Sequence, residues 1–251
     1  MSGQGKAGID LIARRGNGAE YPENTLPALR SALELGVPSI AVDVQLSSDG
    51  VPIVIHDHLL RRTAGRDGSV LDMAATELVR TEAAERDRFG DRHAGTVIPR
   101  LSEVVRLLAD WPRRTLFVEL KRASLARHGR QRMARAVLDA LGDAVSRSIV
   151  LSQDLPAVEQ ARHDGATAIG WVLPDFDTHT HLKCEALRPD FLFIDHARLP
   201  ARGHVWRGPW IWAACEVGTP AAVLALAERG IALFETMQVR GMMRELRLRT
   251  A

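Results

Sequence analysis

Short apolar runs alternate with longer amphipathic segments along the chain, and this alternation restricts the fold more than any other feature of the sequence. Alternating strands and helices predict a parallel sheet with right-handed crossovers, and Val/Ile/Leu-rich strands predict cover on both faces. The predicted strands are Ile9–Ala13, Ser39–Val44, Thr115–Lys121, Ser148–Ser152, Thr167–Val172, Asp190–Ile194, Trp210–Ala214 and Ile231–Glu235. The predicted helices are Asn24–Gly36, Leu101–Asp110, Leu125–Leu141, Leu155–Asp164, Thr178–Leu187, Ala221–Arg229 and Val239–Leu248.

One further apolar run, Val51–His56, follows the second strand too soon for a parallel crossover, which needs a dozen or more residues. Asp49-Gly50 is a typical two-residue hairpin turn, so we predict an antiparallel return strand with Asp43 opposite His56. Without the return strand, eight strands remain, which favours a closed (β/α)8 TIM barrel over an open doubly wound sheet. The length of 251 residues is typical of one such barrel, so we expect a single domain.

Residues 58–97 depart from the alternation, with seven arginines among acidic residues and weak periodicity. We interpret this segment as an insertion on the rim of the barrel, with a short helix near Ala74–Arg86. A solvated charged surface and a lid that shapes substrate access are both open as its role.

Composition narrows the class of protein. Lys and Arg number 33 and Asp and Glu 31, so the net charge of +2 gives no general case for binding nucleic acid. No run of 18 apolar residues and no apolar leader is present, so we expect a cytoplasmic protein without stable membrane insertion. The two cysteines, Cys184 and Cys215, are expected to be free buried thiols. The sequence does not decide the oligomeric state.

Polar residues occur on the inward faces of two predicted strands. Alternate residues of a strand share a face, so Asp43 shares one with Ala41, and Glu119 and Lys121 share another. These charges lie near the carboxyl ends of their strands, where the active sites of barrels are built. Internal salt bridges are one interpretation, and a ligand site is the other, because a charge there is costly unless it is paired or binds something.

The neighbouring residues favour a phosphate-and-metal site. Carboxylates such as Asp43 and Glu119 are typical ligands of Mg²⁺ or Ca²⁺. Arg15, after the first strand, and Lys121 suit phosphate oxygens. His56, after the return strand, suits proton transfer near neutral pH.

These residues lie in an ordered series of motifs that resembles the glycerophosphodiester phosphodiesterase family. The motifs are Leu11–Gly16, Tyr21–Thr25, Asp43–Leu46, Asp49-Gly50, Val54–Asp57, Ile98–Val104 and Val118–Lys121. The strong part of the resemblance covers roughly half of the chain. It implies a barrel that hydrolyses glycerophosphodiesters to glycerol phosphate and an alcohol, with two acid/base histidines and a divalent cation held by carboxylates.

Carried over residue by residue, the resemblance implies definite roles. His56 takes the place of the second histidine, Arg15 contacts phosphate, and Lys121 is the family lysine. Asp43 and Glu119 correspond to two of the metal carboxylates. Trp212, near a predicted strand end, is expected either to line the substrate pocket or to fill the core.

Two positions depart from the family pattern. The first histidine is replaced by Arg14, which stays protonated and cannot act as a base. A third metal carboxylate is replaced by Ala41, which weakens the expected binding of Mg²⁺ or Ca²⁺. Arg14 then either contacts the substrate phosphate or replaces the metal by pairing with Asp43 or Glu119, which predicts a metal-free site.

Three functions remain open from the sequence. The first is a phosphodiester hydrolase with a small phosphodiester substrate and altered activity, since loss of a general acid/base typically costs ~10²–10⁴-fold in rate. The second is a non-catalytic barrel that binds a phosphate-bearing ligand through Arg14, Arg15 and Lys121. The third is a barrel with unrelated chemistry, because fold does not decide function.

Overall fold

A computed structural model describes residues 8–246 as eight parallel strands closed into a barrel. The strands are β1 Asp10–Arg14, β2 Ser39–Leu46, β3 Pro52–Val54, β4 Thr115–Leu120, β5 Ser148–Ser152, β6 Ala168–Val172, β7 Phe191–Asp195, β8 Ile211–Cys215 and β9 Leu233–Thr236. The barrel order is β1-β2-β4-β5-β6-β7-β8-β9, with β9 pairing back to β1, while β3 is antiparallel to β2. The predicted TIM barrel with a hairpin extension is confirmed.

Helices surround the barrel and crown its rim. They are α1 Leu26–Glu34, α2 Arg61–Ala64, α3 Ala75–Leu78, α4 Arg86–Phe89, α5 Leu101–Leu108, α6 Arg122–His128, α7 Arg130–Leu141, α8 Leu155–His163, α9 Thr178–Leu187, α10 Pro220–Ala227 and α11 Val239–Glu245. Short 3₁₀ helices span Gly142–Arg147 and His196–Arg198. Among residues 8–246, no helix has the length and apolarity needed to cross a membrane.

Most predicted helices lie within a few residues of the observed ones. The predicted Leu125–Leu141 helix is instead divided into α6 and α7 at Gly129, whose φ of +83° interrupts the helical backbone. The last predicted helix, Val239–Leu248, is found to Glu245, and its residues 247 and 248 lie outside the described part of the chain.

The strand period sorts side chains into two hydrophobic regions. Alternate residues, such as Ile12 and Phe117, fill the barrel interior, while Leu11 and Val118 pack outward under the helices. Both regions are built from fully buried Val, Ile, Leu and Phe side chains. The inward-facing acidic residues Asp43 and Glu119 lie toward the carboxyl ends of their strands, at the barrel mouth, where a side chain can reach solvent or a ligand.

The hairpin register differs by one residue from the prediction. Val44 pairs with Val54, so the Asp43 carbonyl accepts a hydrogen bond from the Ile55 amide, at 2.9 Å, and His56 is not opposite Asp43. The Ser47 amide donates to the Val51 carbonyl, which leaves a loop of residues 48–50 with a left-handed glycine at its third position. A three-residue loop rather than a two-residue one accounts for the shift.

The insertion at residues 58–97 contains α2, α3 and α4 and has its own small hydrophobic cluster. Leu60, Val70 and Leu78 of the insertion pack against Ile53 and Ile55 of the hairpin. The helix predicted near Ala74–Arg86 is shorter than expected, because only Ala75–Leu78 is α-helical before the chain turns. The insertion is thus anchored to the hairpin that carries His56.

Gly16, directly after β1, permits a close approach of two backbones. Its φ is +82°, and a Cβ there would lie 2.5 Å from the carbonyl carbon of Ala28 in α1. A side chain at this position would force β1 and α1 apart, and with them the residues at the carboxyl end of β1.

Substitution of Gly16 with alanine is expected to lower the free energy of unfolding by roughly 2–4 kcal/mol, through left-handed strain and overpacking. Urea denaturation measures this change. Gly218→Ala is the matched control, because Gly218 has open space around it and no positive φ, and it should change stability by less than about 1 kcal/mol. Equal stabilities of the two variants would contradict the close-packing argument.

Candidate active site

Two adjoining cavities open at the carboxyl ends of the strands. The mouth cavity, of about 340 Å³, is bounded by side chains from the ends of β1, β4, β8 and β9 and from the segment after β3. The second, which we call the rim groove, has a volume of about 590 Å³ and runs between the barrel and residues 58–62 of the insertion. His56, Glu119 and Lys121 line both cavities.

Asp43 is the most tightly held charge of the site. Its Oδ1 lies 3.2 Å from Lys121 Nζ and its Oδ2 lies 2.8 Å from Arg15 Nε. Burial favours the neutral acid, but Lys121 and Arg15 outweigh burial and hold the pKa of Asp43 well below its usual range. Asp43 is therefore ionised at neutral pH and orients both cations.

Asn24 completes the environment of Asp43. Its Nδ2 donates to Asp43 Oδ2 at 2.9 Å, and its Oδ1 accepts from the Asp43 amide at 3.1 Å. Its φ of +57° is left-handed, a conformation that asparagine tolerates better than most residues. Thr25 is the N-cap of α1, which leaves the Asn24 side chain to position Asp43. The sequence pattern alone did not reveal this role.

Lys121 joins two inward-facing carboxylates. Its Nζ lies 2.9 Å from Glu119 Oε1 in addition to its contact with Asp43. Burial opposes its charge, yet the two carboxylates raise the pKa of Lys121 above its usual value. The lysine is thus a fixed cation at the junction of both cavities.

Arg15 links the barrel to the insertion through Glu23. Arg15 Nη1 donates to both carboxylate oxygens of Glu23, at 2.9 and 3.0 Å, and Arg62 Nη2 donates to Oε1 at 2.6 Å. Burial would raise the pKa of Glu23, but the bonds from Arg62 and Arg15 lower it below its usual value. A buried carboxylate between two guanidinium groups fixes the direction of both.

His56 lies beyond β3, where side chain and backbone are both held. Its Nδ1 is 2.7 Å from Asp57 Oδ1, while Arg62 Nε donates to Asp57 Oδ2 at 2.5 Å. An ionised carboxylate only accepts hydrogen bonds, so Nδ1 carries the proton and Nε2 is available for proton exchange. The side-chain Nε2 of Gln45 donates to the backbone carbonyl of His56 at 2.9 Å. The sequence pattern did not predict this positioning contact.

Arg14 does not pair with Asp43 or Glu119 as one hypothesis predicted. Its Nη2 lies 2.9 Å from Glu216 Oε1, and its Nε lies 4.0 Å from Glu235 Oε2. The reason is topological, because β1 is flanked by β9 as well as β2, and Asp43 is already paired with Arg15 and Lys121. Arg14 therefore faces the opposite side of the mouth.

Glu235 is a buried carboxyl group on β9. Burial raises its pKa to about 7, against the opposing effect of Arg14 and with a smaller contribution from Glu119. Cys215 is within hydrogen-bonding reach of it, and burial raises the pKa of that thiol well above its usual value. Cys215 is free as predicted but only partly buried, whereas Cys184 is free and fully buried.

The carboxylates do not form an environment suited to Mg²⁺ or Ca²⁺. Both oxygens of Asp43 and one of Glu119 contact cationic groups, and Ala41 supplies no ligand. Within residues 8–246, no group of three or more His, Cys, Asp or Glu side chains is arranged to hold a metal ion. The assignment of Asp43 and Glu119 as metal ligands stays a prediction, and Lys121 Nζ lies 3.2 Å from a carboxylate oxygen of Asp43 and 2.9 Å from one of Glu119.

Trp212 also differs from the expectation that it binds substrate. Ala213 and Cys215 of β8 face the barrel interior, so Trp212 faces outward. It is buried against Phe176 and Trp206, and its Nε1 donates to the Trp206 carbonyl at 2.9 Å. Trp212 is a core residue, the alternative that the sequence left open.

Fold and site together define a TIM barrel with a cationic, histidine-containing site suited to a phosphate ester. Residues 15–153, more than half of the chain, match the glycerophosphoryl diester phosphodiesterase family. The chain belongs to this family.

Several known proteins are similar. A glycerophosphodiester phosphodiesterase of Caldanaerobacter subterraneus is 42% identical over 100 residues, which cover 40% of each chain. An uncharacterized protein of Bacillus subtilis is 30% identical over 200 residues, 77% of this chain and 74% of its own. An Oleispira antarctica phosphodiesterase, solved in complex with the product sn-glycerol-3-phosphate, has a TM-score of 0.82 at 22% identity and covers 95% of this chain and 96% of its own. The chain spans about two-fifths of the length of the first curated relatives that it matches.

The raised pKa of Glu235 predicts a pH-dependent stability. The folded protein retains this proton up to about pH 7, whereas an unfolded glutamate loses it near 4.5. The contribution is thus present below about pH 4.5 and is lost as pH rises to about 7, on the order of 3 kcal/mol. Glu235→Gln should remove this slope, so its stability relative to the unmodified protein rises between pH 5 and pH 8.

Urea denaturation at pH 5 and pH 8 measures the slope. Glu216→Gln, which removes a largely exposed carboxylate from the same arginine, should keep the slope of the unmodified protein. Parallel pH dependences of the Glu235 variant and the unmodified protein would show that Glu235 titrates as an ordinary glutamate.

Proposed function

We propose that this protein hydrolyses glycerophosphodiesters to glycerol phosphate and an alcohol. Family membership supports the reaction class, and the observation that carries the proposal is the convergence of Arg14, Lys121 and His56 on one mouth cavity. The Oleispira phosphodiesterase, solved with sn-glycerol-3-phosphate, supports a small phosphate-bearing ligand for this barrel. Such a cavity can hold a phosphate ester next to a group that transfers a proton.

The cations have distinct parts in binding the phosphate group. Lys121 and Arg14 both line the mouth cavity and keep 14% and 21% of their side chains exposed. Their N–H groups donate charge-assisted hydrogen bonds to the phosphate oxygens. These bonds stabilise the negative charge on the oxygens while the alcohol is displaced from phosphorus. Arg15 is more deeply buried and mainly orients Asp43 and Glu23.

His56 is the proton-transfer group on the side of the rim groove. Asp57 accepts from Nδ1–H, and in the imidazolium form Nε2 carries a second proton that it can give to the oxygen of the leaving alcohol. The groove beside it is lined by Leu59, Arg61 and Arg62 of the insertion. We assign this groove to the alcohol, so the insertion shapes substrate access rather than serving only as a solvated surface.

The cation cluster acts in place of a divalent metal ion. Lys121 lies between the two carboxylates that were expected to hold a cation. Arg14 adds a permanent positive charge next to Ala41, the position at which the family's negatively charged carboxylate is missing. These positive groups supply charge stabilisation for the phosphate without an additional ion.

We also propose a cellular location and a metabolic role for this protein on the basis of its composition. Two unbridged cysteines fit the reducing cytoplasm, and the described barrel acts there as one domain that degrades glycerophosphodiesters derived from lipids. A near-neutral charge balance fits a small-molecule substrate rather than nucleic acid.

Release of glycerol phosphate from a panel of glycerophosphodiesters tests the function. We expect turnover by the unmodified protein and a fall of ~10²–10⁴-fold in kcat for His56→Ala, because the leaving oxygen loses its proton donor. His163→Ala is the control, since His163 is exposed on α8 outside both cavities, and it should retain full activity. Absence of turnover together with tight binding of glycerol phosphate would favour the non-catalytic binding function.

Metal dependence is tested by calorimetry and by chelation. Titration of Mg²⁺ or Ca²⁺ into the protein should show no stoichiometric binding at millimolar concentration, and excess EDTA should leave turnover unchanged within about twofold, because Ala41 supplies no carboxylate ligand and Arg14 adds a positive charge beside it. The double variant Arg14→His, Ala41→Glu restores the family residues and should gain metal binding. A bound ion in the unmodified protein and loss of turnover in EDTA would overturn the metal-free site.

A further inference from the structure

One charged group of the mouth has no part in the binding and protonation steps described above. Glu235 projects inward from β9 with only 9% of its side chain exposed. It lines the mouth cavity together with His56 and Lys121, so it faces the space that the phosphate group would occupy. Burying a carboxyl group costs free energy unless the group is paired or binds something. A buried carboxyl group that faces the substrate cavity therefore suggests a function in that cavity.

Every strand around Glu235 presents a titratable or charged side chain to it. Arg14 approaches from β1, Asp43 and Glu119 act on it from β2 and β4, and Cys215 and Glu216 come from β8. Arg14 is therefore one cation among several acidic groups. It also pairs with Glu216, which lies closer to Arg14 than Glu235 does. Glu235 is not neutralised in the way that Asp43 is.

A small space of about 10 Å³ connects Glu235 with the position of Ala41. It is bounded by Arg14, Asp43, Glu119 and Glu235, and it exists beside the short side chain of Ala41. This is about the least volume that holds one water molecule, and its walls carry several polar partners.

We propose that Glu235 is a catalytic residue, the proton acceptor for the attacking water, in the place of the histidine that the family has at position 14. The proposal rests on the hydrolytic function proposed above. Arg14 cannot accept a proton, but the carboxylate 4.0 Å from its Nε can, and that carboxylate opens onto the same cavity from the neighbouring strand. The acid/base role moves from β1 to β9.

The two proton-transfer groups then act on opposite sides of the phosphate. Water gives a proton to the ionised Glu235 carboxylate while its oxygen forms a bond to phosphorus. The bond from phosphorus to the alcohol oxygen breaks, and the His56 imidazolium, which carries protons on both Nδ1 and Nε2, gives its Nε2 proton to that oxygen on the side of the rim groove. Transfer of one proton from Glu235 to His56 through solvent restores both groups, so the balance is one water consumed per diester.

The protonation equilibrium of Glu235 suits this role. Burial raises its pKa to about 7, so the group is partly ionised at neutral pH and still basic enough to accept a proton. An ordinary glutamate would be ionised but a weaker base, and general-base efficiency is greatest when the pKa lies near the working pH.

Activity as a function of pH tests the role on the intact protein. For the unmodified protein, the acid side of the kcat–pH profile should rise through about 7, because only the ionised form of Glu235 accepts a proton. Glu235→Gln should lower kcat by ~10²–10⁴-fold and abolish this rise. Glu235→Asp should retain measurable activity together with a pH-dependent rise, since it keeps a carboxylate.

Glu216→Gln separates this role from an effect transmitted through Arg14. Removing that exposed partner should change kcat by less than about fivefold and leave the rise near pH 7 in place. A carboxyl titration by ¹³C NMR on the unmodified protein gives a readout that needs neither turnover nor a substituted chain, and it should show one glutamate titrating near pH 7.

The possible results separate the proposals. An unmodified protein that hydrolyses no diester of the panel overturns the proposed function and this role with it. Turnover that survives Glu235→Gln with its pH profile intact overturns the role of Glu235 alone. A Glu235 variant that fails to fold leaves the NMR titration to decide, and absence of a glutamate titrating near pH 7 counts against the proposal.

Discussion

The buried carboxylate of Asp43 is the constraint on which the rest of the site depends. Burying an ionised carboxylate costs several kcal/mol unless partners compensate, and here they come from three places. Lys121 follows β4, Arg15 follows β1, and Asn24 precedes α1. The pairing of this one charge thus connects three loops at the barrel mouth and fixes the positions of Lys121 and Arg15.

The opposite side of the mouth follows different electrostatics. Arg14 is shared between exposed Glu216 and buried Glu235, and burial raises the pKa of Glu235 to about 7 in spite of the arginine. On the Asp43 side, cations outweigh burial, whereas on the Glu235 side burial outweighs the cation. The same residue chemistry therefore serves as a fixed charge on one wall and as a titrating group on the other.

The insertion contributes to the site through Arg62. This side chain donates to Glu23, which holds Arg15, and to Asp57, which holds His56. Because its hydrophobic cluster also packs on the hairpin, the insertion couples Arg15 of the barrel to His56 of the hairpin. The relative positions of these two side chains are thus fixed by a segment that lies outside the barrel itself.

The sequence by itself determined the barrel, since strand and helix periods are local properties, and α9 has the predicted bounds Thr178–Leu187. It also determined that Asp43, Glu119 and Lys121 face inward, because side chains alternate along a strand. Only the tertiary structure decided the one-residue shift of the hairpin, the outward face of Trp212, and which cation pairs with which carboxylate. Ion pairing depends on distances between strand ends, and Arg14 and Glu235 come from opposite ends of the chain, so no local pattern encodes their contact or the burial that sets the pKa of Glu235.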